Sequence, residues 1–456
     1  MSKKLLLPGD DEFKDIIRRY EQFLSGNASG YFDVEEFENI AEYYLRRGRT
    51  KDSSKAVEFG MKLHPGSTVL KAKRAKIYLA MGEISKAYQL LSTLSEADYE
   101  TVLLKIEALV RMERYGEAQK LVNSLTADNS GDLDNILLDI AYIYLEHDNF
   151  EEAAQYLLKG FQINPRNIDL MFELAFCYEQ LEENEKAIQI YNRILDLDPF
   201  SGEAWFNLGQ IYYTLQEFQK AIEAYEFVLA VDPTDTLALL QKAHAHFQLD
   251  QFQKAIENYV EYAEITNDLA STSLFIAESY EKLEQYDNAV AYYKISLKEN
   301  PKNSEILVGI AACLLEEEKF SESIQYLSQA LEINNTSPDA WIYLAEAYLG
   351  LDNIDKALQY YIKSLSIDPK QTDALMAVAN IHLEKKEYSM ALKFYKAAYE
   401  LDNSLEYINL FLAATYYKLG KKAESYQYLK KALEEDEESI NLFLEICPEA
   451  AVHPTN

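Results

Sequence analysis

Small residues recur along the chain in two series whose members lie 34 positions apart, and the second series follows the first by 12 positions. The first series is Ala141, Ala175, Gly209, Ala243, Ala277, Ala311, Ala345, Ala379 and Ala413, and the second is Ala153, Ala187, Ala221, Ala255, Ala289, Ser323, Ala357, Ala391 and Ser425. Around them, apolar residues follow the i, i+3, i+7 spacing of one helix face, as at Trp205, Leu208 and Tyr212. The pattern predicts repeated pairs of helices, with a small residue on each helix where the two approach closely.

Larger side chains and prolines follow the same period. Three positions after the first series come Tyr144, Tyr178, Tyr212, His246, Tyr280, Leu314, Tyr348, His382 and Tyr416, and prolines recur at Pro165, Pro199, Pro233, Pro301 and Pro369. Proline cannot continue a helix, so these positions mark helix ends. The unit with Trp205, Leu208, Gly209, Tyr212, Ala221, Tyr225 and Pro233 resembles the tetratricopeptide repeat, from which only Val228 departs.

The resemblance implies an all-α fold, a right-handed superhelical solenoid of helix pairs with capping helices at both ends. Nine regular repeats cover residues 134–439, and the units at 236–269 and 304–337 match the pattern less well. Between residues 31 and 133, Ala56, Ala87 and Ala118 indicate three irregular repeats, of which the first needs a longer turn between its helices. About twelve repeats are therefore predicted.

The two ends of the chain are predicted to cap the solenoid, because a terminal repeat would otherwise expose its stacking face. Residues 1–30 contain an amphipathic helix and a linker, Ser25 to Gly30, and the apolar stripe of the helix is Phe13, Ile16, Ile17, Tyr20, Phe23 and Leu24. This helix either packs on the first repeat or is a detachable segment that occupies a groove or a partner. Residues 440–456 are expected to form a closing helix, followed by an unstructured tail after Pro448.

Charge and composition exclude several classes of function. The chain has 44 basic and 76 acidic residues, a net charge of −32, which disfavours nucleic acid and anionic membrane surfaces. Its longest apolar run, residues 307–315, is too short to cross a bilayer, and the three leucines before Pro8 are too few for an export signal. The 3 cysteines are far apart and odd in number, which favours a reducing, cytoplasmic location over disulfides or a zinc site.

The sequence contains no motif for catalysis or cofactor binding. Phosphate-binding loops, dinucleotide-binding glycines, HExxH and GxSxG are all missing, so we expect no enzyme activity, no cofactor and no metal. His246 and His382 stand at a core position of the repeat, and His244 is too close to His246 for both to chelate one ion from a helix face. The acidic loop around Gly131 lacks the spacing of a calcium loop. Cys177 and Cys313 are predicted to pack as small apolar residues.

The resemblance further implies that the first helices of successive repeats line a concave groove. The non-core positions of those helices are rich in aromatic residues from 138 to 247, and smaller and more acidic after residue 300. The predicted groove residues are Leu138, Tyr142, Phe172, Glu173, Phe176, Phe206, Asn207, Gln210, Tyr213, Leu240, His244 and Phe247. These rings are either part of the core or surplus to it, and in the second case they would form a recognition surface. The lysine and asparagine clamp with which some relatives hold a carboxylate is missing.

Positive charge is concentrated near the start of the chain. Residues 1–133 carry 20 basic and 21 acidic side chains, whereas residues 134–456 carry 24 and 55. The residues Arg46, Arg47, Arg49, Lys71, Lys73, Arg74 and Lys76 form either an ordinary solvated surface or a patch for an acidic partner. The sequence thus predicts a non-enzymatic scaffold or adaptor for a protein or peptide with apolar anchors and net positive charge. The alternative is a self-assembling structural protein that associates through basic first and acidic last repeats.

Overall fold

The computed structural model describes residues 10–25, 30–96, 98–127, 132–436 and 438–452, and all regular secondary structure within these ranges is helical. The helices of the first part are α1 (Asp10–Leu24), α2 (Val34–Arg46), α3 (Thr50–Leu63), α4 (Thr68–Ala80), α5 (Ile84–Leu91), α6 (Tyr99–Arg111), α7 (Tyr115–Ala127), α8 (Leu133–Leu145), α9 (Phe150–Ile163), α10 (Ile168–Gln180), α11 (Asn184–Leu197) and α12 (Gly202–Thr214). They are followed by α13 (Phe218–Val231), α14 (Thr236–Gln248), α15 (Phe252–Thr266), α16 (Ala270–Lys282), α17 (Tyr286–Glu299), α18 (Ser304–Glu316), α19 (Phe320–Ile333), α20 (Pro338–Gly350), α21 (Ile354–Ile367), α22 (Thr372–Glu384), α23 (Tyr388–Leu401), α24 (Ile408–Lys418), α25 (Lys422–Glu435), α26 (Ser439–Ile446) and α27 (Glu449–Val452).

The chain divides into two compact units, residues 1–214 and 215–456. Within the first unit α2 packs on α3, and the same pairing continues to α10 and α11. Within the second unit the pairs run from α14 with α15 to α24 with α25. In both units the second helix of a pair also packs on the first helix of the next pair. The predicted all-α architecture of stacked helix pairs is confirmed.

A left-handed backbone residue reverses the chain between the two helices of a pair. It lies five positions before the second small residue, and the residues with this positive φ are Gly48, Gly82, Glu113, Asp148, Glu182, Gln216, Asp250, Glu284, Glu318, Asp352, Lys386 and Gly420. A positive φ costs an ordinary L-residue roughly 1–2 kcal/mol, so the packing on both sides must hold most of these turns in place.

The two series of small residues lie in the core, as the sequence predicts. Every alanine of either series is fully buried, and Ser425 is 3% exposed. Gly160 shows how close the helices are, because a methyl group added there would overlap the side chain of Leu170 on the next helix. The period of 34 residues therefore reflects the requirement for a small side chain at each close contact.

The first helix pair corrects one sequence-based interpretation. Ser53 is fully buried, and its hydroxyl donates to the Ala41 carbonyl at 2.8 Å. Ser323 and Ser425 make the same bond to the residue 12 positions before them, at 2.9 and 2.8 Å. Ser53 therefore holds the place assigned to Ala56, and the predicted longer turn is wrong. A serine can replace the alanine because its hydroxyl is satisfied by a nearby carbonyl.

Both ends carry helices that pack on the neighbouring repeats. Ile17 and Tyr20 of α1 lie in one apolar cluster with Phe37 of α2, whereas the predicted turn at residues 26–29 and the side chain of Phe13 lie outside the described residues. Phe443 of α26 is 3% exposed. The prediction of an unstructured tail after Pro448 is wrong for its first residues, because α27 covers Glu449–Val452. Glu449 also accepts a hydrogen bond from Lys418 at 2.7 Å.

Candidate functional site

Of the predicted groove positions, those on α10 have the most direct structural support. The Asn167 side chain caps this helix by accepting from the Leu170 amide at 3.1 Å. Leu174 is fully buried toward the core, while Phe172 and Phe176, one turn apart, lie on another face. Phe172 is half-buried and Phe176 is 42% exposed. Because the Phe176 ring is exposed to this extent beside the Phe172 ring, α10 has an apolar surface that is not fully buried in the core.

The neighbouring helices α8 and α9 extend this surface. The Tyr142 hydroxyl donates to Glu173 Oε1 at 3.0 Å, and the Phe150 and Phe176 rings meet edge to face at 6.0 Å. Leu138, also predicted for the groove, is only 7% exposed and belongs to the core. The structure thus brings Tyr142 and Glu173 together and leaves Leu138 with little surface to offer a partner.

A second chain of hydrogen bonds connects α10 to α12 through α11. Tyr191 on α11 donates to Glu179 Oε1 at 2.5 Å and accepts from the Asn207 side-chain amide at 3.2 Å. Its ring centroid also lies 6.1 Å from that of Phe172. The sequence analysis missed Tyr191 because it considered only first-helix positions, and it did not select Glu179 although this residue lies on the first helix α10. The recurrence of tyrosine four residues after the second small residue was the signal available, at Tyr191, Tyr225, Tyr259, Tyr293, Tyr361 and Tyr395.

Burial governs the protonation of these groups. It raises the pKa of Glu173 above its ordinary value and outweighs the hydrogen bond from Tyr142, which lowers that pKa. It also raises the pKa of Glu179, against the bond from Tyr191. For both tyrosines burial, together with the neighbouring carboxylates, raises the pKa far above its usual range, so they stay protonated donors. The two carboxylates are incompletely solvated, and a cation nearby would lower their free energy.

The predicted positions on α12 are less uniform. Phe206, Asn207 and Tyr213 are half-buried, whereas Gln210 is exposed and its carbonyl accepts from the Thr214 hydroxyl at 3.0 Å. Asn207 contacts α11 through its hydrogen bond to Tyr191. We refer below to Tyr142, Phe172, Glu173, Phe176 and Asn207 as the α8–α12 surface.

In the second unit, the predicted residues of α14 pack mainly among themselves and their neighbours. Leu240, His244 and Phe247 are half-buried. His244 Nδ1 lies 2.7 Å from the Tyr259 hydroxyl, and the His244 ring meets Phe275 edge-on at 4.8 Å. Burial lowers the pKa of His244, so the ring is neutral at pH 7. For His244 the core interpretation of the aromatic pattern fits better than the recognition interpretation.

The acidic positions after residue 300 produce one strongly shifted group. Burial, with added repulsion from Glu316 and Asp373, raises the pKa of Glu346 on α20 to about 7. The Glu346 charge in turn contributes to the raised pKa of the Tyr343 and Tyr361 hydroxyls, after burial. This part of the second unit therefore holds several carboxylates within electrostatic reach of each other.

The basic residues near the start of the chain are largely paired within their own repeats. Glu42 of α2 lies 3.1 Å from the Lys73 ammonium, 3.2 Å from Arg46 and 3.8 Å from Lys76. Lys73 is only 6% exposed. Burial acts to raise the pKa of Glu42, but the Coulombic attraction of Lys76 and Lys73 and the hydrogen bonds from Lys73 and Arg46 outweigh it and lower this pKa. Most of this positive charge is thus neutralised locally.

The remaining members of the predicted patch are similarly engaged. Arg49 pairs with Asp52 at 2.9 Å, and the Arg74 guanidinium contacts Glu58 and stacks over the Tyr78 ring. Arg47 lies over the Tyr43 ring at 4.2 Å, and Lys71 is half-buried on α4. The sequence analysis did not take Glu42 and its neighbours into account, because their pairing depends on contacts between helices.

Other candidate chemistry is structural where the chain is described. His246 Nδ1 contacts Gln251 at 2.9 Å, and His382 Nδ1 contacts Glu387 at 2.6 Å, both with buried rings. The cysteines are free and buried, and burial raises the pKa of Cys177 and Cys313 to about 12. Among the described residues no cluster of histidine, cysteine and carboxylate side chains could hold a metal ion. None of the helices in this part of the chain has the length and apolarity needed to cross a membrane.

Comparison with known proteins identifies the repeat. Family models described as tetratricopeptide repeat match residues 103–168, 144–211, 202–235, 276–338, 314–381, 372–405 and 407–439. No curated protein shows significant sequence similarity to the chain. The matched ranges do not include residues 31–102 and 236–275, where the repeats are inferred from the sequence pattern and the helix pairs. The repeat boundaries and the total of twelve repeats therefore stay predictions.

Several solved structures are similar to the chain at low identity. The hetero-tetramer Cut9–Hcn1 of the APC/C is 14% identical and covers 88% of this chain and 98% of its own, with a TM-score of 0.39. YrrB, described as a tetratricopeptide repeat protein with an unusual peptide-binding site, is 18% identical and covers 41% and 96%, with a TM-score of 0.37. The C-terminal part of a repeat protein from Cytophaga hutchinsonii is 17% identical and covers 52% and 98%, with a TM-score of 0.44.

Proposed function

This chain belongs to the tetratricopeptide repeat family, and from that premise we propose that it is a non-enzymatic scaffold or adaptor for other proteins. Solenoids of stacked helix pairs present extended surfaces to protein or peptide partners and are typically non-catalytic. In this proposal the partner segment binds in a groove formed by first helices, and the α8–α12 surface makes the main contacts. A cytoplasmic location belongs to the same proposal, and the three free, buried cysteines support it.

The exposed ring of Phe176 is the observation on which the proposal rests. At 42% exposure it lies beside Phe172, which packs on the core with one part of its ring and is only half-buried. Aromatic side chains supply a large contact area at little entropic cost, so such rings dominate the energetics of many interfaces. The fixed hydrogen bond between Tyr142 and Glu173 pre-orders a polar group next to them.

Electrostatics favour a partner segment with net positive charge. Residues 134–456 carry 24 basic and 55 acidic side chains. Glu173 and Glu179 have raised pKa values because burial leaves their charges poorly solvated, and a lysine or arginine of the partner would compensate for this. Long-range attraction would also speed association at low ionic strength. Apolar anchors beside basic residues are thus the chemistry that suits the α8–α12 surface.

Self-assembly through basic first and acidic last repeats is the alternative, and the ion pairs of the first repeats weigh against it. Lys73 is already paired with Glu38 and Glu42, Arg46 with Glu42, and Arg49 with Asp52. Breaking these pairs to form equivalent ones with another copy would gain little free energy. Light scattering of the full chain at low and high salt tests this alternative, which requires association that weakens as salt is added.

Selection of peptides from a displayed library tests the proposal. Peptides selected on the full chain should carry an apolar residue next to lysine or arginine. The double variant Phe172→Ala, Phe176→Ala should weaken their binding by about 2–4 kcal/mol, because it removes two anchor contacts. The matched control is Phe200→Ala, which removes an aromatic ring that is 76% exposed in a loop of the same unit.

Isothermal titration of the selected peptides against the three proteins gives the result. Loss of affinity in the double variant with the Phe200→Ala protein unchanged supports the proposal. Equal affinity for all three proteins contradicts it. Circular dichroism of each variant establishes that helix content is retained, so that a loss of binding is not a loss of fold.

A further inference from the structure

A cavity of about 390 Å³ lies in the first unit, between the second helices α7 and α9 and the first turns of α8. None of the residues assigned to the α8–α12 surface lines it. It occurs where the spacing of small residues departs from the period, since Ala118 and Ala153 are 35 positions apart. Cavities of this size accommodate a small ligand or a few side chains of a peptide.

Two local features produce the cavity. Leu137 stands at the repeat position where α12 carries Trp205 and α20 carries Trp341, and the Trp341 ring stacks on Tyr360 of the second helix of its pair. In addition, α7 packs only loosely on α8, and Asp132 provides no side-chain cap for α8. A smaller side chain and a longer connection thus leave this space open.

The floor of the cavity is apolar. Val122 is 2% exposed and Leu137 4% exposed, and the side chains of Leu133 and Ile163 continue the floor toward solvent. Ile163 is 51% exposed, so part of this apolar area is in contact with water. Covering it with an aliphatic side chain would be favourable by roughly 25 cal/mol for each Å² removed from water.

The rim presents hydrogen-bond donors. The Tyr156 hydroxyl donates to Gln119 Oε1 at 2.7 Å, and Gln119 Nε2 donates to Asn123 Oδ1 at 2.8 Å. In this series of hydrogen bonds the Asn123 side-chain oxygen is the last acceptor, and the side-chain amide hydrogens of Asn123 remain to donate to a ligand. Lys159 is exposed, and its ammonium lies 5.3 Å from the centre of the Tyr156 ring. The rim therefore offers a cation and amide donors above an apolar floor.

We propose that this cavity is a second binding site, which takes an aliphatic side chain flanked by a carboxylate in a partner peptide. The aliphatic group covers Val122 and Leu137, the carboxylate faces Lys159, and the Asn123 amide donates to the same carboxylate or to the peptide backbone. The site differs from the α8–α12 surface in the sign of the charge it selects. One chain would then hold a basic segment on first helices and an acidic segment on second helices.

The test uses two isosteric probes, acetyl-Leu-Asp-amide and acetyl-Leu-Asn-amide, titrated into the full chain with ¹³C-labelled methyl groups. Val122, Leu133, Leu137 and Ile163 all carry methyl groups, so each part of the floor reports directly on occupancy. Both probes should shift these signals, and the aspartate probe should bind about threefold to fivefold more tightly, as expected for one exposed ion pair.

Two variants locate the binding. Leu137→Trp introduces the residue that α12 and α20 carry at this repeat position, so it should fold, fill the cavity and abolish the shifts from both probes. Lys159→Gln should reduce the preference for aspartate to less than twofold, whereas Lys120→Gln, an exposed lysine on α7 outside the cavity, should leave it unchanged. Equal binding of the two probes, or shifts that persist in the Leu137→Trp protein, would overturn the proposal.

Discussion

Tyr191 has a role that neither its helix nor its sequence neighbours reveal. The Tyr191 hydroxyl accepts a hydrogen bond from the Asn207 side-chain amide and donates one to Glu179, and the Tyr191 ring contacts Phe172. One side chain therefore joins three helices behind the α8–α12 surface. A hydroxyl that is buried and doubly bonded fixes the side chains around it. The surface is therefore held in shape before a partner arrives, which reduces the entropic cost of binding.

Glu346 changes its charge near neutral pH. Its pKa is about 7 in the folded chain and 4.5 ordinarily, because burial and then the charges of Glu316 and Asp373 disfavour the carboxylate. The folded state therefore binds a proton more tightly than the unfolded state. The stability that this proton contributes is complete below pH 4.5 and is lost as the pH rises through 7.

The variant Glu346→Gln should remove that loss. As the pH rises from 5 to 8, the free energy of unfolding of this variant should increase by about 1–2 kcal/mol relative to that of the natural chain. This value is smaller than the full pKa difference implies, because the Glu346 side chain is partly solvated. Urea unfolding followed by tryptophan fluorescence measures the difference, since Trp341 lies on the same helix. Glu332→Gln, at an exposed position of α19, is the control. The same pH dependence in all three proteins would show that Glu346 does not carry the effect.

At the scale of helices, the turn inside each pair depends on one left-handed residue. Gly82 has a φ of 76° with no atom within 4 Å of the position of an added Cβ. Gly82→Ala should therefore destabilise the α4–α5 pair through backbone strain alone, by about 1 kcal/mol.

Gly66→Ala is the matched control for this prediction, because Gly66 has equally open surroundings and no positive φ. It should change stability by less than about 0.5 kcal/mol. Hydrogen exchange of the α4 and α5 amides, measured by mass spectrometry, reports on local opening of the pair. Similar protection in the two variants would mean that the turn does not determine the stability of the pair.

The sequence predicted the helix pairs because each pair needs a small residue at the same close contact, and that requirement is visible as a period. It failed at the first pair, where Ser53 fills the position and Ala56 was chosen in its place. It also assigned Leu138 to the groove, since a register position alone does not say how deeply a neighbouring helix covers a side chain. The cavity beside Val122 depends on a smaller side chain and on one added residue in a connection, and the pattern does not show how the neighbouring helices pack around them.

At the scale of the whole chain, charge is distributed very unevenly. Residues 1–133 are nearly neutral and residues 134–456 carry almost all of the net charge of −32. The ion pairs around Glu42 show that the positive charges of the first repeats serve mainly to join neighbouring helices. The excess negative charge of the later repeats is therefore available to select partners and to repel nucleic acid and other copies of the chain.

The central claim is that a partner segment lies against α10, and site-specific crosslinking tests it most directly. The photoreactive residue p-benzoylphenylalanine is placed at position 176 in one protein and at position 200 in another, and each is irradiated with a peptide selected on the natural chain. Our account predicts a crosslinked product from position 176 and none from position 200. Equal products from both positions, or a product from position 200 alone, would contradict it.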